Sequence, residues 1–234
     1  MTSGTLAHNA TSCRVCDLDI VNYEVAWQLQ KRLVAARAKG EIPDLLLLLE
    51  HPPVITVGRS GSERSLLVSR EQLEREGIPL FFTERGGDIT CHAPGQLVAY
   101  PIIYLRERGD LHQYVWGLEE VMLRTLSELG LTASRRQGYP GVWLGDKKVG
   151  ALGVRVSQWV ACHGFSLNIS NDLRYYSYIR PCGLPSDSVT SIYEATGSQL
   201  LVEQVKNLVT RHFSDVFGVE MEVGSPEWIA RLSP

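Results

Sequence analysis

The sequence predicts an α/β protein folded as one domain. Short apolar runs at residues 45–49 and 97–103 have the length of buried strands. They alternate with longer segments whose apolar residues recur at helical spacing, most clearly Leu111, Val115, Leu118, Met122, Leu126 and Leu129. The 234 residues contain no repeat, low-complexity tract or linker-like stretch, and they suffice for one sizeable core.

The elements follow in order. Residues 1–12 are small and polar and are expected to fray, leaving 13–234 as the domain. A strand is expected over 14–20. Val21, Val25, Leu29 and Leu33 then repeat at helical spacing, and the basic stretch 31–39 stops at Gly40. The strand at 45–49 ends before Pro52 and Pro53, which cannot donate to a sheet. An extended run over 54–57 leads into Gly58-Arg59-Ser60-Gly61. A short helix over 69–77 takes Ser69 as its N-cap and glycine as its stop. One strand, 80–83, enters a glycine-rich turn, and another, 97–104, leaves it. The helix from Leu111 closes at Gly130. Residues 142–144 and 149–156 flank Gly145-Asp146, a hairpin signal, and 159–169 is a further strand. Residues 170–198 are loop-rich, with Pro181, Gly183 and Pro185 close together; so long a loop inside a compact domain points to function. Leu201, Val205, Leu208, Val209, Phe213 and Val216 mark a final helix.

Composition narrows the function classes. A net charge of −3 gives no global attraction to nucleic acid, so any basic docking surface is local. No apolar run is long enough to span a bilayer, and the first residues lack a signal-peptide pattern. Five irregularly spaced cysteines argue against a secreted disulfide framework and for a reducing cytosol.

The most informative stretch is 83–96. Its adjacent glycines, Gly86 and Gly87, let the backbone turn tightly, and Arg85, Thr90 and His92 set donors beside it, as in a pocket wall. Cys182 stands between Pro181 and Gly183, two residues from Arg180, whose charge favours a thiolate; the competing reading is a small buried hydrophobe. Lys148 leads from the Gly-Asp turn into a strand of small and apolar residues, where burial would lower its pKa and make it a usable base. Lys147 reads as a solvated turn residue. Cys13 and Cys16 form one C-x-x-C without the second pair that zinc would need. Cys91 and Cys162 each adjoin a histidine, yet strand neighbours point to opposite faces. Both read as packing residues, Cys91 lining the pocket. No G-x-S-x-G elbow, phosphate-cradling loop or H-E-x-x-H motif is present.

Together these segments resemble a known family. Arg85-Gly86-Gly87-Asp88-Ile89-Thr90-Cys91-His92-Ala93-Pro94-Gly95-Gln96 resembles the R-G-G-x-x-T-x-H-x-P-G-Q signature of lipoyl(octanoyl) transferases. Lys148-Val149-Gly150-Ala151-Leu152-Gly153, His163-Gly164-Phe165-Ser166-Leu167-Asn168 and Pro181-Cys182-Gly183 resemble its other segments in the same order, and the run from Glu50 to Arg59 fits too. Cys91 stands where a tyrosine is usual, and Ala93 where a glycine is common.

The resemblance implies the α+β fold of biotin and lipoate ligases, a mixed sheet flanked by helices. It implies a cytoplasmic acyltransferase that moves an octanoyl or lipoyl group from acyl carrier protein to a lysine. The acceptors would be lipoyl domains of 2-oxo acid dehydrogenases and the glycine cleavage H protein. By the same resemblance Cys182 is the thioester nucleophile and Lys148 its proton partner. Arg85, Gly86, Gly87, Asp88, Ile89, Thr90, Cys91 and His92 would line the acyl site with Ala151, Leu152, Gly153, Gly164, Phe165 and Ser166. No cofactor, metal, nucleic acid or membrane is expected. Arg135, Arg136, Lys147, Arg155, Arg174 and Arg180 could form a basic rim for acidic protein substrates. The rival readings are an ATP-dependent ligase on the same fold and a non-catalytic lipoyl-domain binder.

Overall fold

In the computed structural model, which describes residues 11–106, 110–225 and 228–229, the leucine run of β2 (Asp44–Glu50) shows how the core is divided. Leu46 and Leu48 face one layer, while Leu45, Leu47 and Leu49 face another. Both faces of this strand are therefore buried, and an unbroken apolar run is the pattern that requires.

The strand lies in an eight-stranded mixed sheet. β1 (Thr11–Ile20) runs parallel to β2 on one side and to β11 (Val219–Val223) on the other. β6 (Gln96–Tyr104), β10 (Val160–Asn168), β9 (Lys147–Ser157), β8 (Tyr139–Leu144) and β7 (Ser134–Arg136) continue it antiparallel, giving the order β11-β1-β2-β6-β10-β9-β8-β7. Helices α3 (Leu111–Glu128) and α5 (Val202–Phe217) cover one face through Leu118, Met122, Val205, Val209 and Phe213. Helix α1 (Tyr23–Ala38) covers the other through Ala26, Leu29 and Leu33.

A second sheet, β4-β3-β5, is built from β3 (Val54–Val57), β4 (Leu80–Phe82) and β5 (Ile89–His92). It packs Ile55, Val57, Ile89 and Cys91 against Leu73 of α2 (Arg70–Arg75) and against Tyr176, Ile179 and Val189. Ser69 caps α2 by accepting from the Gln72 N–H, as expected. A short α4 (Ile192–Thr196) and several 3₁₀ turns occupy the long loop before α5.

Four expectations are corrected. Val25 faces solvent; Leu29 and Leu33 are buried as expected, and Ala26 stands in place of Val25 on the buried stripe of α1. β5 lies inside the stretch read as a turn. The edge strand β7 is too short to show alternation, whereas β11 (Val-Glu-Met-Glu-Val) alternates apolar and polar residues and is a strand additional to those expected from the sequence. β1 begins at Thr11, two residues inside the segment expected to fray, while residues 1–10 lie outside the described residues. Cys13 and Cys16, three apart on β1, point into opposite core layers and do not form a pair.

Candidate active site

Pro101 lies within the central strand β6, a place that normally excludes proline because it cannot donate to the ladder. Around it β10 bends. Ladder pairing to β6 is present at Ala161 and resumes at Phe165, and His163 adopts a left-handed φ of 55°. The His163 N–H is satisfied instead by Gln30 Oε1 at 2.7 Å. Gly164 makes the bend possible: a Cβ there would sit 2.2 Å from the Ala99 carbonyl oxygen and 2.6 Å from Pro101 Cδ. The bend opens an apolar cavity of about 320 Å³ beside the β9–β10 pair.

The small sheet closes one side. Thr56, on the face of β3 opposite Ile55 and Val57, accepts from Arg85 through Oγ1, at 3.1 Å from Nε and 2.9 Å from Nη2, and through its carbonyl at 2.7 Å from Nη2. The Arg85 guanidinium thus lies in the cavity wall with its geometry fixed. The turn after it runs against β9, where the Gly86 N–H donates to the Val154 carbonyl at 2.9 Å. A Cβ on Gly153 would approach the Gly86 carbonyl to 2.8 Å, and one on Gly58 would approach the Gly87 carbonyl to 2.3 Å. Close backbone approach, more than turning, explains these glycines.

Behind the cavity lies a buried polar network. His51 donates from Nδ1 to the Val21 carbonyl at 2.6 Å, so its Nε2 accepts from the Tyr100 hydroxyl at 2.8 Å. His92 Nδ1 donates to Gln96 Oε1 at 2.6 Å, because the Gln96 amide nitrogen already donates to Asn168 Oδ1 at 2.8 Å. Burial drives all three histidines neutral: His51 down to about 4, His92 and His163 down to about 3, with the Arg85 charge lowering the latter two further. Asn168 carries the network to the opposite loop by donating to the Thr190 carbonyl at 2.9 Å.

Lys148 enters the cavity wall at the start of β9. It is buried, donates to the Pro140 carbonyl at 2.8 Å, and stands 5.2 Å from the Trp143 ring centroid. Its backbone carbonyl accepts from the Thr190 N–H at 2.9 Å, and it bridges to Val189. The loop carrying the turn Pro181–Gly183 is therefore tied to the lysine strand, and Pro181, Leu184 and Val189 border the same cavity. The side chain of Cys182 lies outside the described residues.

The sequence-derived site residues Arg85, Gly86, Gly87, Asp88, Ile89, Thr90 and His92 all line this cavity, as do Lys148, Ala151, Leu152, Gly153, Gly164, Phe165 and Ser166. Cys91 does not. Strand alternation turns it into the cluster with Ile55 and Tyr176, where burial pushes its thiol far up. Tyr23, Thr56 and Tyr100 were not foreseen, and Gln96, the last residue of the signature, had been given no role of its own. Their partners are distant in sequence, and only the odd polar residue in an apolar run hinted at them. Among the described residues no cluster of three His, Cys, Asp or Glu side chains could hold a metal, and no helix is long and apolar enough to cross a membrane. Of the expected basic rim, Arg135 is paired with Glu119 and Glu120, Arg155 with Glu84, and Arg174 with Asp172.

Residues 22–214 match the lipoyl protein ligase A/B catalytic domain. The octanoyltransferase of Solibacter usitatus is 46% identical over 215 residues, which cover 92% of this chain and 97% of that one. The octanoyltransferase of Gloeobacter violaceus is 42% identical over 224 residues, 95% of this chain and 98% of that one. Among solved structures, a lipoate-protein ligase A bound with ATP shares the fold with a TM-score of 0.80 at 16% identity, over 94% and 93% of the two chains. A biotin protein ligase from Aquifex aeolicus shares it with a TM-score of 0.52 at 15% identity, over 89% and 69%.

Proposed function

The chain belongs to the lipoyl protein ligase A/B catalytic family, and from that premise we propose a two-step acyl transfer through Cys182. It is an acyltransferase that moves an octanoyl group in protein lipoylation. The observation that carries the mechanism is one apolar cavity bordered both by buried Lys148 and by the turn that bears Cys182. Elimination supports the choice of thiol: Cys13, Cys16, Cys91 and Cys162 are all buried and none of them borders the cavity, and burial raises Cys16 and Cys162 to about 11 and Cys91 higher still.

Lys148 takes the Cys182 proton, and the thiolate attacks the donor thioester carbon. The donor carbon–sulfur bond breaks, and the departing thiolate recovers a proton from the Lys148 ammonium. The amine of the acceptor lysine then attacks the enzyme thioester. A carbon–nitrogen bond forms, the bond to Cys182 breaks, and the amine's proton passes through Lys148 to the released Cys182 thiolate. Thioester exchange is close to neutral and amide formation is downhill, so the sequence needs no ATP. The acyl chain lies between β9 and β10, gaining about 0.8 kcal/mol per buried CH₂. Arg85, Gly86, Gly87, Asp88, Ile89, Thr90 and His92 form one wall of its slot, and Ala151, Leu152, Gly153, Gly164, Phe165 and Ser166 form the other. The donor is octanoyl–acyl carrier protein. The acceptors are lipoyl domains of 2-oxo acid dehydrogenases and the glycine cleavage H protein, in the cytoplasm.

Transfer assayed without ATP tests this reading against a ligase. Octanoyl transfer from the carrier thioester is expected to proceed; an absolute requirement for ATP and free octanoate would refute it.

A further inference from the structure

Among the described residues, five arginines stack on aromatic rings. Arg14, Arg37, Arg135 and Arg174 each also hold a carboxylate: Glu222, Asp44, the Glu119–Glu120 pair and Asp172 respectively. Arg136 differs. Its guanidinium carbon lies 5.1 Å from the Tyr139 ring centroid and 4.9 Å from that of Trp143, and no carboxylate pairs with it among the described residues. Two rings restrict the side chain, so a partner would find the charge already placed.

The location matters as much as the charge. Trp143 is also the ring beneath Lys148, whose Nζ lies 5.2 Å from the same centroid. The two cationic centres, at 4.9 and 5.2 Å from one point, are therefore within about 10 Å of each other. Arg136 is exposed on β7, the outermost strand at this end of the sheet, and Lys148 lies in the cavity wall.

We propose that Arg136 is the docking contact for a carboxylate close to the target lysine on the acceptor protein. The inference rests on the acyl-enzyme reading above and names how its second substrate is recognised. Reach selects the acceptor over the donor. A lysine side chain is about 6 Å of four-carbon stem, so the residues beside a reacting lysine must come close to Lys148 and within range of Arg136. A thioester carried on a long flexible arm places no such demand on its protein. A guanidinium also matches the planar geometry of a carboxylate, which an ammonium does not.

The two half-reactions separate the possibilities. Enzyme acylation is followed by intact mass with octanoyl–acyl carrier protein. Deacylation is followed with a lipoyl domain and, separately, with hydroxylamine, which carries no carboxylate. For Arg136→Ala, acylation and hydroxylamine deacylation are expected at unaltered rates, while KM for the lipoyl domain rises about tenfold, an effect that shrinks with added salt. Arg136→Lys, which keeps the charge, should recover part of the loss. Neutralising acidic residues beside the target lysine should raise KM with the unaltered enzyme and add little with Arg136→Ala. An unchanged KM for the lipoyl domain would overturn the proposal. Slower acylation would overturn it by assigning the contact to the donor, and slower hydroxylamine deacylation would do so by reducing Arg136 to support for Lys148. If the unaltered chain formed no octanoyl adduct, the acyl-enzyme reading would fall and this inference with it.

Discussion

Thr56→Val isolates the link between the two sheets. Valine matches threonine in shape, so the change removes one oxygen and little else. That oxygen accepts from Arg85 Nε at 3.1 Å and Nη2 at 2.9 Å, while the Thr56 carbonyl at 2.7 Å is kept. Thr56 is fully buried and Arg85 is 8% exposed, so water cannot readily replace the lost acceptor. A hydrogen bond to a charged group contributes roughly 1.5–3 kcal/mol, and two such bonds share this oxygen, so the gross loss is about 3–4 kcal/mol. The added methyl returns about 0.8 kcal/mol of burial, leaving a net loss of about 3 kcal/mol. For a chain of this size that lowers Tm by roughly 6–12 °C. Thr56→Ser keeps the oxygen and removes the methyl, so its loss should stay near 1 kcal/mol. Thermal and urea unfolding of both variants measure this. Equal stability of the valine variant and the unaltered protein, or a serine variant as weak as the valine one, would refute the claim that this oxygen holds Arg85.

Other outcomes follow from the same structure. His51, His92 and His163 titrate at about 4, 3 and 3 when folded against about 6.5 unfolded, so the unfolded chain binds more protons as pH falls below 6.5. Their contribution is whole above pH 6.5 and is lost as pH falls, down to about 4 for His51 and about 3 for His92 and His163, by about 2 kcal/mol per histidine at pH 5. Urea midpoints that do not move between pH 7 and 5 would contradict this. Gly164→Ala drives a Cβ into the Ala99 carbonyl and the Pro101 ring and should cost about 3 kcal/mol or more, measured by chemical unfolding. Lys148→Ala should slow single-turnover acylation about 10²–10⁴-fold and flatten its pH profile, while circular dichroism stays native.

The sequence made the long elements legible where one physical signal dominated. The leucines of β2 and the helical stripe of α3 need burial and announce it, and the acyl-site residues expected from the family-like segments line one cavity, Cys91 excepted. What stayed hidden depends on distant pairing. β5 looked like a turn because its residues divide their duties, Thr90 and His92 to the cavity and Cys91 to the core, leaving no apolar run. Val25 misled because a strict four-residue repeat drifts round a 3.6-residue helix, so Ala26 and not Val25 shares the buried face with Leu29 and Leu33. Thr56 and Tyr100 are ordinary strand residues until Arg85 and His51 arrive from elsewhere in the chain.

Intact-mass measurement of the protein after exposure to octanoyl–acyl carrier protein, beside a Cys182→Ser sample, bears most directly on the acyl-enzyme. The expected result is one added octanoyl mass on the unaltered chain, located at Cys182 and cleared by a lipoyl domain, with no turnover by the serine variant. Octanoyl transfer by Cys182→Ser at the unaltered rate would contradict it.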